Sequence, residues 1–295
     1  MTASAPVRDT SGMKMTRTLY VSDLDGTLLT PQGTVSSRTG QLVRKVVVGG
    51  ALFTCATSRS WTTTARLVLP LDLRLPAILH NGAVIYDHLS RMVIAAHKLS
   101  PQVVDRLLVL CRDLCAAPLV HTLDDGHERT SWLPDRSSDA IHDFWTDRPD
   151  DPRNTPRTAW EDLPIVDVLG VALIGEAQAI AKVRDAVGAE MGPDCRLGVR
   201  RDTYRPGWSW MEAVHPAASK GQAVTYLAQR YHARRIVVFG DHLNDLDLFA
   251  VADEAYAVAN ADPVVIAAAD GVIASNDADG VAEWLARHAM PAPTQ

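Results

Sequence analysis

An apolar run, Thr18-Leu19-Tyr20-Val21-Ser22, stops at Asp23 and Asp25, two carboxylates two residues apart, with Gly26 directly behind them. This pattern reads as a strand ending in a tight turn, which leaves its terminal groups free to face a ligand. In open α/β sheets, ligands bind beyond the carboxyl ends of the strands. Two acids at such an end suggest a metal-assisted reaction. An Asp-Gly turn whose carboxylate caps a helix would use the same residues, so the reading rests on three later segments.

The first is Gly240-Asp241-His242-Leu243-Asn244-Asp245, which follows the run Ile236-Val237-Val238-Phe239. Again a strand ends in carboxylates. Hard divalent cations take oxygen ligands and keep several waters, so acids from two parallel strand ends suit magnesium better than zinc. Capping of a helix over 246–252 by Asp241 and Asp245 is compatible with that role. The second segment, Leu52-Phe53-Thr54-Cys55-Ala56-Thr57-Ser58-Arg59-Ser60, is a buried strand that ends in hydroxyls and one arginine. Hydroxyl and backbone N–H donors at a helix N-terminus form an anion cradle. The third is Ser219-Lys220-Gly221, which opens an amphipathic segment running to Tyr231. Only five of the 29 basic residues are lysines, and a lysine at a helix start opposes the macrodipole, so Lys220 calls for an anionic partner.

In this order and spacing, DLDGTLL, CATSR, SKG and GDHLND resemble the haloacid dehalogenase superfamily of phosphotransferases, and more narrowly its Cof-type sugar-phosphate phosphatases. Asn81-Gly82-Ala83 and Val258-Ala259-Asn260-Ala261 extend the resemblance over nearly the whole core. The resemblance implies that Asp23 is the nucleophile attacking phosphorus and Asp25 the general acid/base. It implies that Thr57 hydrogen-bonds the transferring phosphoryl group and that Lys220 neutralises its charge and holds Asp23. Mg2+ is the implied cofactor, bound by Asp23, the backbone carbonyl of Asp25, and Asp241, with Asp245 acting through water or as an orienter. Asn244, Ser58 and Arg59 are the remaining candidates for binding phosphate or substrate. These residue types suit the roles, because a carboxylate nucleophile splits hydrolysis into two displacements and a second carboxyl can protonate the leaving alkoxide, then deprotonate water.

One departure stands out. Where the family often has Thr-Gly-Arg, this chain has Thr57-Ser58-Arg59, and serine adopts positive φ less freely than glycine. Either the loop keeps an ordinary conformation and Ser58 adds a hydroxyl, or the phosphate pocket is reshaped. Arg59 is placed to meet substrate, to bind a carboxylate across the domain cleft, or to form a structural ion pair.

The expected activity is magnesium-dependent hydrolysis of a small phosphomonoester, first of all a sugar phosphate, through an aspartyl-phosphate. A phosphomutase of the same cap type is the closest competitor, and a catalytically silent phospholigand-binding regulator is another. The set Asp23, Asp25, Thr57, Lys220 and Asp241 argues against silence. Dehalogenase chemistry does not require the second acid, and phosphatases for sucrose phosphate or mannosyl phosphoglycerate stay open because specificity lies in the cap.

The fold expectation is α/β: a Rossmann-like, doubly wound parallel sheet with an inserted α+β cap. Helical periodicity over Ser37 to Val48 alternates with strand-like runs at Ala51 to Thr57 and Pro76 to His80, and the alternation returns after Lys220. Between Asn81-Gly82 and Lys220 lies an insertion of more than a hundred residues, too long for a connection. The 33 residues between Asp23 and Thr57 leave no room for a cap there. The expected division is a disordered lead at 1–17, a catalytic core at 18–87 plus 210–295, and a cap at 88–209. Within the cap, strands are expected at Met92 to Ala96, Leu119 to Thr122, Val166 to Ile174 and Arg196 to Arg200, with helices from Ser100-Pro101 through Leu114 and over Glu176 to Ala189. The proline-rich stretch Leu133 to Leu163 reads as a solvated loop with one short helix near Ala140 to Trp145. Specificity is expected from His121 to Arg129 and from residues 200–208.

Net charge of −6 disfavours a nucleic-acid partner, so a phosphorylated metabolite must be attracted by local charge. No apolar run reaches membrane-spanning length and the first residues lack the apolar centre of a signal peptide. The four cysteines show no zinc spacing, and Cys111 and Cys115 read as packing residues on one helix. A cytoplasmic protein is expected, its oligomeric state open.

Overall fold

The structure, a computed structural model, describes residues 17–202 and 205–289. Except for Arg17, the expected disordered lead lies outside the described residues. Five strands form a fully parallel sheet in the spatial order Gly271–Ile273, Glu254–Val258, Arg235–Gly240, Thr18–Ser22, Leu52–Cys55. Alternate side chains of the two central strands feed two separate cores, as the two-residue strand period dictates. Tyr20, Val237 and Phe239 pack with Val43, Val46 and Val47 of helix Ser37–Val48 and with Val281 and Leu285 of helix Gly280–His288. On the opposite face, Leu19, Val21 and Val238 meet Val224 and Leu227 of helix Lys220–Arg230. The sheet is therefore covered on both sides, and its strand ends are the open place for a ligand.

A small antiparallel sheet, Ala77–Leu79, Val84–Asp87 and Met92–Ala96, hangs from this core through a parallel bridge between Ala56 and Ile78. The cap is built on a six-stranded sheet ordered Arg196–Arg201, Trp208–Val214, Val168–Glu176, Leu119–Asp124, His127–Trp132, Asn154–Pro156, antiparallel but for the last pair. Helices Pro101–Asp113 and Ala177–Met191 cover one face, with Val104, Leu107 and Leu108 against Ile180, Val183 and Val187. Ser100 caps the first of these through the Val103 N–H. Helix Asp139–Thr146 lies over the other face and inserts Ile141 and Trp145 among Leu119, Trp132 and Ile174.

The expected cap boundaries fall inside sheets: residue 88 lies between the paired strands Val84–Asp87 and Met92–Ala96, and 209/210 splits the cap strand Trp208–Val214. We propose that the division falls at the crossings near 97–98 and 215–219. There His97 stacks on His215, with ring centroids 5.5 Å apart. Two expectations are corrected. The stretch Leu133 to Leu163 is not a solvated loop: besides its helix it supplies a sheet strand, and it buries Ile141, Trp145 and Arg153. Cys115 lies beyond the end of its helix, exposed, while Cys111 is buried, so the pair does not share a packed face.

Candidate active site

Asp23 leaves the central strand with its N–H bound to the Phe239 carbonyl at 3.0 Å, so the two neighbouring strands end level with one another. The chain then turns through Asp25 and Gly26. Gly26 has φ of +83°, and a Cβ built there would lie 2.4 Å from Asp241 Oδ2, so only glycine lets the two acidic strand ends approach this closely. Thr27 donates its hydroxyl to Asp241 Oδ1 at 2.6 Å, and Asn260 donates to the Gly26 carbonyl at 2.8 Å. Lys220, at the first position of its helix, is almost completely buried; its ammonium bonds Asp23 Oδ1 at 2.6 Å and Asp245 Oδ1 at 2.7 Å. The anionic partner that a lysine at a helix start demands is thus a pair of carboxylates.

Asp245 is fully buried, and its second oxygen accepts the backbone N–H groups of Asp241 at 3.0 Å and His242 at 3.1 Å. These bonds brace the turn that carries Asp241. Carboxylate oxygens of Asp23, Asp241 and Asp245 lie within 4.8 Å of one another. Burial raises the pKa of Asp23 well above its ordinary range; Lys220 counters this, while Asp245 and Asp241 add to it. Burial, and then Asp245, push Asp241 up to about 7, against the Thr27 hydrogen bond. Three desolvated acids share a single ammonium, and this excess of hard oxygen donors fits a divalent cation such as magnesium. Asp23 and Asp241 have the geometry to hold it. Asp245, with both oxygens engaged, orients its neighbours.

The hydroxyl segment runs beside this cluster. Thr57 is buried, its N–H bound to Ile78 O at 2.9 Å and its Oγ1 accepting the Arg59 N–H at 3.1 Å. Ser58 is not among the positive-φ residues, so the loop keeps an ordinary backbone without glycine. Ser58 lines a recess of about 30 Å3 together with Asp23, Asp25, Asp241 and Asn244. Arg59 binds Asp25 through two parallel hydrogen bonds of 2.7 and 2.6 Å; the carboxylate it meets belongs to the core rather than to the far side of the cleft.

Asn81, part of the Asn81-Gly82-Ala83 motif, also has a place at the site. His80, Asn81 and Gly82 all have positive φ, and such local strain concentrates at functional sites. The turn docks on the hydroxyl segment through His80 N to Arg59 O and Asn81 N to Thr57 O, each 3.0 Å. Asn81 then bridges core and cap: Oδ1 accepts Asn244 Nδ2 at 3.0 Å, and Nδ2 donates to Glu212 Oε2 at 2.5 Å. Glu212 thus serves as a hydrogen-bond acceptor from the cap.

The cap meets the core a second time through Glu128. Its carboxylate accepts Trp61 N at 2.8 Å, Thr62 N at 3.0 Å and Thr62 Oγ1 at 2.8 Å, and lies 3.1 Å from His80 Nε2. His127 and Arg129 are exposed and line a separate cleft. His121 instead faces the cavity between core and cap, which also takes in Asp25, Arg59, Arg148 and Arg200. Arg148 and Arg153 come from the proline-rich stretch and were not anticipated.

This geometry belongs to a known lineage. A family of haloacid dehalogenase-like hydrolases matches residues 20–285. The chain belongs to that family. Its kinship is with the Cof-type phosphatases, and it is a hydrolase of phosphoric monoesters. The chain is 26% identical over 284 residues to a pyridoxal phosphate phosphatase, YbhA, of Escherichia coli, covering 93% of this chain and 99% of the relative. It is 24% identical over 249 residues to an HMP-PP phosphatase of Cronobacter sakazakii, covering 83% and 85%. The fold superposes on that of the HAD subclass IIB sugar phosphatase BT4131 with a TM-score of 0.75 at 19% identity, over 94% of this chain and 100% of the other.

Proposed function

We propose that this hydrolase removes the phosphoryl group from a small phosphorylated metabolite, with a sugar phosphate the first candidate, by a two-step route through Asp23. The observation that carries the reading is the convergence of Asp23, Asp241, Asp245 and buried Lys220 on one point at the ends of two parallel strands. Asp23 attacks phosphorus and becomes the aspartyl-phosphate. Asp25 protonates the leaving oxygen, then takes a proton from the water that hydrolyses the intermediate. Lys220 orients Asp23 and, with the Thr57 and Ser58 hydroxyls, offsets charge developing on the equatorial phosphoryl oxygens. Magnesium, held by Asp23 and Asp241 and by the Asp25 carbonyl, would neutralise phosphoryl charge and fix the attack geometry.

Relatives named for pyridoxal phosphate and for HMP-PP support a small-metabolite substrate without selecting one. Among the described residues no helix is long and apolar enough to cross a membrane; a cytoplasmic location belongs to the same proposal. The test is phosphate release from p-nitrophenyl phosphate and from a panel of sugar phosphates. Activity should vanish in excess chelator and return with magnesium, while calcium, with its larger and less ordered coordination, should replace it poorly. Undiminished turnover in chelator would reject the metal assignment. Transfer of phosphate to a second hydroxyl of the same sugar, without release, would favour a mutase.

A further inference from the structure

The cavity between core and cap, about 140 Å3, is lined by five arginines and three carboxylates. The acids are already engaged. Asp25 is bound by Arg59, Glu212 by Asn81, and Asp202 by the Trp210 indole N–H at 2.7 Å and the Arg205 N–H at 2.9 Å. Arg153 has its own partner in Asp151 at 2.6 Å. Arg148 and Arg200 have no carboxylate within 4.0 Å among the described residues, and Asp147, the acid next to Arg148 in the chain, is taken by Arg205. The Arg200 Nε is buried with no hydrogen-bond partner.

These two guanidinium groups are held in place by rings. The Arg148 Cζ lies 4.2 Å from the centroid of Phe144 and the Arg200 Cζ 4.8 Å from that of Trp210, while the two rings meet edge to face at 5.5 Å. A guanidinium stacked on an aromatic face keeps its in-plane N–H donors for an anion. Arg148 spends one on the Phe144 carbonyl at 2.8 Å. Burial lowers the pKa of Arg148; Asp147 opposes this, and Arg59 and Arg153 contribute to it. An anion entering here would relieve that crowding of positive charge.

Arg200 also borders the recess that holds Asp23 and Asp241; Arg148 lines the larger cavity and not that recess. The phosphoryl group undergoing transfer is therefore served from the recess, and Arg148 sits where the leaving group would lie.

We propose that the preferred substrate carries a second anionic group, a carboxylate or a second phosphate, on its leaving group, and that the ring-stacked Arg148, flanked by Arg200, binds it. This deepens the phosphatase reading and rests on it. The experiment compares kcat/KM within matched pairs: glycerol 3-phosphate against 3-phosphoglycerate for a carboxylate, and fructose 6-phosphate against fructose 1,6-bisphosphate for a phosphate. Wild-type protein should favour the doubly anionic member of at least one pair by about tenfold or more, the scale of a charge-assisted hydrogen bond. Which pair shows the preference identifies the group. Arg148→Gln should remove most of that preference, and Arg148→Lys should keep part of it. Absence of preference in the wild type overturns the proposal whether or not any variant folds. Equal proportional losses on both members in Arg148→Gln also overturn it. Magnesium-dependent turnover of p-nitrophenyl phosphate is read in parallel: its absence would sink the phosphatase reading itself, and its presence without a pair preference sinks only the second-anion site.

Discussion

At the scale of single residues, Lys220 does two things that are separable by mutation. It holds the proposed nucleophile Asp23, and it compensates Asp245, whose other oxygen braces the turn bearing Asp241. Asp23→Asn keeps shape and removes the nucleophile, so phosphate release should fall by at least about a thousandfold with the protein still folded; near-normal release would remove Asp23 from that role. Asp245→Ala should act differently. It leaves a buried ammonium with one partner fewer and two backbone N–H groups unbonded, which should lower unfolding free energy by about 3 to 5 kcal/mol. Denaturant unfolding of the metal-free protein measures this, and a change within error would mean that water replaces the carboxylate. Gly26→Ala should cost activity as well, because the added carbon meets the Asp241 carboxylate.

At the scale of elements, the core was legible because its signals are local. Apolar runs ending in Asp23, Thr57 and Asp241 mark strands and their ligand-facing ends together, and the helix over Ser37–Val48 agrees with its periodicity to the residue. The strand His127–Trp132, His-Glu-Arg-Thr-Ser-Trp, gave no such signal, because its Glu128 points at the core rather than into an apolar layer. Arg148 and Arg153 were hidden for a related reason: prolines and charges look like a solvated loop until a distant cavity is known to lie beneath them. The contact made by Glu128 carries its own prediction. A carboxylate on the first N–H groups of helix Trp61–Val68 satisfies donors that the helix cannot pair internally and meets the positive end of its dipole. It therefore clasps cap to core. Glu128→Gln should weaken this clasp by about 1 to 2 kcal/mol, read as roughly 5- to 30-fold faster amide hydrogen exchange at Trp61 and Thr62. Unchanged exchange at both would show that the cap is held elsewhere.

At the scale of the whole molecule, buried titratable groups where cap meets core make folding respond to acid. His121 faces the cavity with Nδ1 3.0 Å from Thr130 Oγ1. Burial, then the charges of His80 and Arg153, lower its pKa to about 3 from an ordinary 6.5. Between those two values the unfolded chain binds a proton at this position that the folded chain refuses. Stability must therefore fall as pH drops from about 6.5 toward 3, at up to about 1.4 kcal/mol per pH unit for the one proton. Glu128 acts with the same sign at lower pH. Burial alone would raise it, but the His80 hydrogen bond and charge, with the two helix N–H donors, bring it down to about 2, so its contribution is lost as pH falls from 4.5 toward 2. Asp23 and Asp241, whose folded pKa values are raised, contribute in the opposite direction, so the slope of the wild type alone assigns nothing. The informative quantity is the difference from His121→Asn, which removes the titrating ring while leaving the acidic cluster in both proteins. Measured without metal between pH 7 and 4, the melting temperature of the wild type should fall relative to that of the variant, the gap closing or reversing as pH decreases. Parallel curves for the two proteins would mean that His121 is protonated in the fold and that the cavity beneath the cap is wet enough to stabilise its charge.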